Sequence, residues 1–267
     1  MSESQFLNKI ETVISDAEIE YREGASVQVV NKIPDPGKIP QRGNHWKKIQ
    51  DVISVFVDMK DSTKLSAEKH GKSTAEIYQF FTNTIVKILR QFEVSYVDVK
   101  GDGVFGIFNS NLPHTALAAA VTCKTFSENN FKSAVKNKRK ISLGCHIGID
   151  QKTVLVKKIG AEPRDGEDSH LRNEVWAGKP VNMSAKLAAR ADEGEVLVSD
   201  RFYSSLESKC ALISCGCGSN VGPSPLWTEK DVSSDENFDF EKAHLLQSKW
   251  CSIHGKDYCQ KLLDCEA

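Results

Sequence analysis

The stretch from Val94 to Phe108, VSYVDVKGDGVFGIF, constrains the fold more than any other part of the chain. Two runs of apolar and β-branched residues flank a Lys-Gly-Asp-Gly tip, the pattern of two antiparallel strands joined by a tight turn. A hairpin tip needs glycine. It does not need an aspartate, so Asp102 calls for a second explanation, and Lys100 lies two residues before it. An extended backbone alternates its faces, which would put Asp98, Lys100 and Asp102 on one side if the turn does not intervene.

Other segments order themselves around this hairpin. ISVFVDM, ending at Met59, is a continuous apolar run that predicts a central strand, with Asp58 near its end. From Thr74 to Phe92 the apolar residues Ile77, Phe80, Phe81, Ile85, Ile88, Leu89 and Phe92 recur at helical spacing. Residues 113–130 open with proline and are rich in alanine, as a helix start should be. ISLGCHIGI and TVLVKKIG predict two strands, 161–174 a polar loop, 179–192 a helix, and GEVLVSD a strand. Strand, helix, hairpin, helix, strand, strand, helix, strand is the order of an α+β sandwich with a mixed or antiparallel sheet. Ahead of it, Phe6, Leu7, Ile10, Val13, Ile14 and Ala17 line one face of a helix, and Pro34, Pro36 and Pro40 break an extended arm. The expected divisions are a helix and arm over 1–49, a main domain over 50–208, and a cysteine-rich extension over 209–267.

The net charge is −1 and 27% of the 267 residues are charged, so no bulk electrostatic argument points to nucleic acid or an anionic membrane. No apolar run approaches the roughly 20 residues needed to cross a bilayer, and MSESQFLNK lacks a signal-peptide core. A cytosolic protein is expected. In that compartment the eight cysteines are buried thiols or metal ligands rather than disulfides.

If the strand ending at Asp58 neighbours the hairpin, two carboxylates emerge at one sheet edge. Paired carboxylates there suit hard divalent cations that also hold phosphate oxygens, and two such ions can activate an attacking oxygen and stabilise a leaving one. The glycines beside Asp102 leave room for a triphosphate. Backbone N–H groups and the Ser62 and Thr63 hydroxyls of KDST can face phosphates. Taken singly, either aspartate could cap a strand or favour a turn; two strand-plus-aspartate motifs in order favour the metal.

VFVDMKDST, KGDGVFGIF, LGCHIGI and GKPVNMSAKLAARADEGEVLVSD together resemble, in order and spacing, the four motif blocks of the class III nucleotide cyclases, the adenylate and guanylate cyclases. The likeness covers about residues 50–205. It implies a ferredoxin-like α+β domain that dimerises head to tail, with active sites between the two copies. It implies that Asp58, the adjoining Met59 and Asp102 hold two Mg²⁺ or Mn²⁺ ions. Asn182 and Lys186 of a second copy would orient the ribose and stabilise charge on the α-phosphate. The implied reaction is attack of the ribose 3′-oxygen on the α-phosphorus with loss of pyrophosphate.

The chain departs from that family at informative places. Lys186 stands where arginine is usual, with Arg190 one turn further along the same face. The base-selecting positions are Asp98 and Val175, and valine cannot hydrogen-bond through its side chain. No purine-reading pair is visible. The pattern resembles the bacterial Pycsar branch of anti-phage cyclases, which make cyclic UMP or cyclic CMP for a separate cyclic-nucleotide-activated effector, and UTP is favoured over CTP. Phe56 and Tyr96 are candidates to stack on a base; for Phe56 the competing reading is core packing. Where the family often has a phosphate-binding arginine the chain has Ser142, with Arg139 and Lys140 upstream. An adenylate cyclase and a catalytically dead nucleotide-binding domain remain as alternatives. In the tail, Cys215, Cys217, Cys251, His254 and Cys259 offer soft ligands compatible with structural Zn²⁺; buried reduced thiols are the competing reading.

Overall fold

A computed structural model of the chain describes residues 3–41, 43–63, 65, 71–160, 172–217 and 222–266. It divides into two units, one of Asp51–Thr153 with Gly178–Ala267 and one of Met1–Gln50 with Val154–Ala177.

The first unit is built on strand β2 (His45–Met59), whose buried residues include Ile53, Val55 and Val57. The expected hairpin is present. β3 (Tyr96–Lys100) and β4 (Gly103–Asn109) pair antiparallel, with Lys100 opposite Gly103, so Gly101 and Asp102 form the turn. Gly101 has φ +67°, a conformation other residues adopt at a cost, which explains the glycine at the first turn position. β4 in turn pairs with β2, Val104 opposite Val57. The strand order runs β3-β4-β2-β5-β7-β9-β8, where β5 is Cys145–Gly160, β7 Val196–Ser199, β8 Trp227–Asp231 and β9 Lys242–Leu246.

Three expectations are corrected. The two strands read from ISLGCHIGI and TVLVKKIG are one, β5, since no glycine or proline breaks the chain between Ile149 and Val154, and residues 141–144 precede it. The alanine-rich helix is α3 (Pro113–Phe126), and a π-helical turn at Ser127–Phe131 carries it into α4 (Lys132–Arg139). The tail, expected to stand apart from the sandwich, supplies two of its strands. β9 pairs antiparallel with β7, and β8 with β9. The domain limits themselves remain an expectation. Of the loop predicted at 161–174, residues 161–171 lie outside the described residues, and the rest belongs to a strand that starts at Arg172.

Alternation along β2 separates two faces. Val55 and Val57 pack with Phe81 and Ile85 of α2 (Gly71–Leu89) and with Leu117 of α3 in the main core. α3 is buried almost all round, which its near-continuous apolar sequence requires. On the opposite face lies α5 (Lys179–Arg190): Ser54 Oγ and Ser184 Oγ are 2.9 Å apart. A Cβ on Gly148 would come within 1.9 Å of the Ser184 carbonyl oxygen, so the second glycine of the Gly-x-His-x-Gly strand is set by this close approach. α6 (Asp200–Tyr203) and α7 (Lys209–Leu212) follow β7, and α8 (Gly255–Asp264) packs against α3 and α7.

In the second unit, α1 (Glu3–Glu23) carries the expected amphipathic stripe, and its Phe6, Leu7, Ile10, Val13 and Ile14 are exposed. β1 (Ser26–Val30) runs parallel to the start of β2, Ser26 opposite His45. β6 (Arg172–Gly178) pairs with β5, and Lys158 is bonded to the Pro40 carbonyl oxygen at 2.9 Å and ion-paired with Glu174 at 3.2 Å.

Candidate active site

Asp58 and Asp102 meet at one sheet edge because β2 and β4 are direct neighbours. A Cβ added to Gly103 would lie 3.1 Å from Asp58 Oδ1 and 2.5 Å from the Phe56 ring. Gly103 thus lets the Phe56 ring and the Asp58 carboxylate lie close against the backbone, and Asp102 is the residue before it. Phe56 is half-buried, lies on the Asp58 face rather than in the main core, and covers Gly103. Tyr96 packs beside Phe105 on β4, ring centroids 6.1 Å apart. The Met59 side chain is buried at 2% exposure, which leaves only its main-chain carbonyl as a ligand.

After Met59 the chain turns sharply. Asp61 has φ +63°, and Ser62 and Thr63 follow; Lys64 and residues 66–70 lie outside the described residues. The Lys60 N–H donates to the Gly144 carbonyl at 3.0 Å, and Lys60 Nζ to the Ala191 carbonyl at 3.1 Å, which fixes the turn against the start of β5 and the C-terminus of α5.

His146, the histidine of the LGCHIGI strand, lies beside Asp58. Its ring is buried at 6% exposure, with Nε2 3.2 Å from Asp58 Oδ2 and Nδ1 3.2 Å from the Ala191 carbonyl oxygen. Both ring nitrogens face acceptors, so the ring bridges the Ala191 carbonyl and the Asp58 carboxylate. Its spacing from Asp58 in the sequence gives no hint of this contact; strand adjacency between β2 and β5 makes it.

The face-sharing argument holds for Asp98 and Lys100 and fails for Asp102. Lys100 Nζ is 2.8 Å from Asp98 Oδ2, whereas Asp102 lies in the turn, where alternation ends. Val175 is on β6 in the other unit. Asn182 is exposed on α5. Lys186, also exposed, donates to the Asn237 carbonyl at 3.0 Å, and Arg190 pairs with Asp235 at 3.0 Å. Among the described residues no hydrogen bond or ion pair joins Asn182 or Lys186 to Asp58 or Asp102 of the same chain. Arg139 is ion-paired with Glu76 on α2, Lys140 ends α4 in a left-handed conformation, and Ser142 is exposed, so the first of these serves the fold.

A second cluster lies in the tail. Ligand atoms of Cys215, Cys217, Cys251 and His254 all fall within 4.8 Å of one another. N–H groups of His254 and Ile253 lower the Cys251 thiol to about 7, while burial and the neighbouring Cys215 and Cys251 push Cys217 up to about 11. Cys259 is not in the cluster; its thiol is turned toward the core and raised by burial. Cys123 and Cys145 are the buried thiols expected. A cavity of about 740 Å³, lined by Leu117, Val121, Trp250, Tyr258 and Leu262 among others, opens beside the cysteines rather than at the carboxylate edge. None of the helices, among the described residues, is long and apolar enough to cross a membrane.

Residues 45–220 match the Adenylate and Guanylate cyclase catalytic domain family. A protein named Uridylate cyclase from Micromonospora echinofusca is 33% identical over 238 residues, 86% of this chain and 75% of that protein. Another of that name from Propioniciclava tarda is 32% identical over 261 residues, 96% of this chain and 80% of that protein. The crystal structure of the adenylyl cyclase CyaB from P. aeruginosa shares the fold, with a TM-score of 0.61 at 16% identity over 76% of this chain and 96% of that one. The α+β cyclase sandwich expected from the sequence is therefore the fold observed, and the chain is a nucleotide cyclase belonging to the adenylate and guanylate cyclase catalytic-domain family.

Proposed function

We propose that the protein converts UTP to 3′,5′-cyclic UMP and pyrophosphate, as a homodimer whose sites combine Asp58 and Asp102 of one copy with Asn182 and Lys186 of the other. The observation that carries this reading is the likeness, at 33% and 32% identity, to two proteins named Uridylate cyclase. The substrate's 3′-oxygen attacks the α-phosphorus in line, the bond to the bridging oxygen breaks, and pyrophosphate leaves.

Asp58 and Asp102, with the Met59 carbonyl, fit two hard divalent cations: the donors are oxygens, and Asp58 lies at the end of a strand paired with the one that Asp102 precedes. Bound Mg²⁺ or Mn²⁺ would neutralise phosphate charge and favour loss of the 3′-hydroxyl proton. His146 holds the Asp58 carboxylate in place. Lys186 would bring a charge to the α-phosphate, and its bond to the Asn237 carbonyl must open for it to do so. Since Asn182 and Lys186 have no contact with the carboxylates of their own chain, a second copy is the natural source of that half of the site.

Base reading falls to Asp98 and Lys100, because the Val175 side chain offers no polar atom. Their 2.8 Å pair supplies one acceptor beside one donor. Uracil presents N3–H beside the O4 acceptor, and cytosine presents its 4-amino group beside the N3 acceptor, so the order of the two residues along the base decides between them. Phe56 and Tyr96 would carry the base by stacking. The resemblance to the anti-phage branch makes cyclic UMP a signal for a separate effector. Incubating the purified protein with each of the four nucleoside triphosphates and Mn²⁺, then identifying products by mass, tests the reading. Cyclic UMP is expected; cyclic AMP as the main product, or no product from any nucleotide, overturns it. Lys100→Ala should lower kcat/KM by roughly 10- to 150-fold, the equivalent of a charge-assisted hydrogen bond. A base contact predicts a different loss on UTP and CTP, and a phosphate contact the same loss on both.

A further inference from the structure

We infer that Cys215, Cys217, Cys251 and His254 form a structural zinc site that ties the tail of the chain together. The four ligand atoms come from two loops far apart in sequence, yet all lie within 4.8 Å of one another, with Cys217 Sγ 3.0 Å from His254 Nδ1. Zn²⁺ binds thiolate sulfur at about 2.3 Å and imidazole nitrogen at about 2.0–2.1 Å in a tetrahedron, and such a cluster can close on it with small side-chain movements. Three thiolates and an imidazole are soft donors, unsuited to Mg²⁺ and matched to zinc. Four protein ligands leave no open position, which is the composition of a structural site and not of a catalytic one.

Both loops are held in place for this. Gly216 between the first two cysteines has φ +79°, and a Cβ there would meet the Gly222 carbonyl carbon and the Pro223 nitrogen at 2.7 Å; no other residue fits that turn. Ser214 and Ser224 close the same loop, N–H to carbonyl at 2.8 Å. In the Cys-x-x-His loop the Ile253 N–H points at Cys251 Sγ, 3.4 Å away, as amides do around metal-bound thiolates. Trp250, just before it, is anchored on α3 through Thr122 (2.9 Å) and Thr125 (3.0 Å), and a Cβ on Gly255 would strike the Trp250 Cβ at 2.8 Å. A metal here would join the loop after α7 to the start of α8. Buried thiols without a metal need none of this convergence. The inference stands apart from the nucleotide specificity, since the cluster shares no residue with the carboxylate edge.

The test is metal analysis of the full-length protein purified without added metal. One zinc per chain is expected, retained by Cys259→Ser and Cys265→Ser and lost from Cys217→Ser and Cys251→Ser. A zinc-selective chelator should lower Tm by several degrees or more, and re-addition of zinc should restore it. Should the serine variants fail to fold, Co²⁺ exchanged into the wild-type protein should show the visible bands of a tetrahedral thiolate site. A protein free of zinc after growth in zinc-replete medium, a disulfide between two of the three cysteines by mass, full zinc content in Cys251→Ser, or cobalt spectra without thiolate bands would each overturn the assignment.

Discussion

Asp58 and Asp102 sit at an open sheet edge, with His146 the one side chain bonded to either of them among the described residues. Cys215, Cys217, Cys251 and His254 instead converge within 4.8 Å and hold one another. The first pair offers hard oxygens and is only half-buried. The second is soft and closed. An open pair of carboxylates contributes little to folding and is useful only when something outside the chain completes it. A closed set of four ligands does the reverse. The comparison therefore predicts a sorting: changes at the edge cost activity, and changes in the tail cost stability.

The largest effect tests that sorting most severely. Asp58→Ala or Asp102→Ala should lower kcat roughly a thousandfold, about 4 kcal/mol of lost transition-state stabilisation, with Tm nearly unchanged because neither carboxylate is needed by the core. Steady-state kinetics with Mg²⁺ and Mn²⁺ beside a melting curve decides it. Activity close to wild type with Mn²⁺, or a collapse in Tm, breaks the distinction between the two regions.

A mixing experiment sharpens it next. Inactive Asp102→Ala and inactive Asn182→Ala chains should complement, since each mixed dimer holds one site with every group present. Random exchange makes half the dimers mixed, with one of two sites intact, so about a quarter of wild-type activity should return. Chains that demonstrably exchange and stay inactive would mean that the open edge is not completed by a second copy.

His146 is expected to have a smaller effect of the same kind. It touches Asp58 from behind at 3.2 Å and is itself held by the Ala191 carbonyl. His146→Gln should lower activity about 10- to 100-fold, as loss of a group supporting a metal ligand usually does. The loss should show as a higher metal concentration for half-maximal rate. A merely structural histidine would change Tm and leave that metal requirement alone.

The sequence announced the hairpin, both aspartates and the α+β order because each rests on local rules: β-branched runs, a glycine turn and apolar periodicity. It did not announce what depends on strands meeting. His146 reaches Asp58 only because β5 lies beside β2, and Lys186 reaches Asn237 only because the β8–β9 loop comes over α5. The place of the tail in the sheet is hidden from the sequence for a related reason. β8 and β9 are strands of five residues after an irregular segment, β8 is mostly polar, and neither the pairing of β9 with β7 nor that of β8 with β9 has a local signature. The cysteine spacing named four of the cluster's ligands and one outsider, Cys259, since helical spacing in α8 turns that thiol toward the core while His254 precedes the helix. Alternation along β3 covers Asp98 and Lys100 and ends at the turn that holds Asp102, the condition on which the shared face depended.

The smallest predicted effect is on the stability side of the divide, at Glu266. Its carboxylate accepts from the backbone N–H of His114 at 2.5 Å and of Thr115 at 2.9 Å, and from His114 Nδ1 at 2.9 Å, so it caps the start of α3. His114 Nε2 accepts from the N–H groups of Glu207 and Ser208, which makes the ring neutral with its proton on Nδ1. Burial alone would raise the Glu266 carboxyl, but the bonds from His114 and Thr115 outweigh it and hold it below the ordinary glutamate range. Glu266→Gln replaces one accepting oxygen with a donor that faces another donor. The expected loss is about 1 kcal/mol, a fall in Tm of roughly 2–4 °C in a chain of this size, with cyclase activity unchanged. The sign of the pH dependence follows from the lowered value. The wild-type advantage is fully present above the unfolded glutamate pKa of about 4.3. It is lost as pH falls through the lower folded value, so the two melting temperatures should converge on acidification. Melting curves of both proteins from neutral pH down to the onset of acid unfolding measure this. A gap that widens as pH falls would reverse the role given to the carboxylate, and a loss of activity at unchanged Tm would put Glu266 on the catalytic side of the comparison.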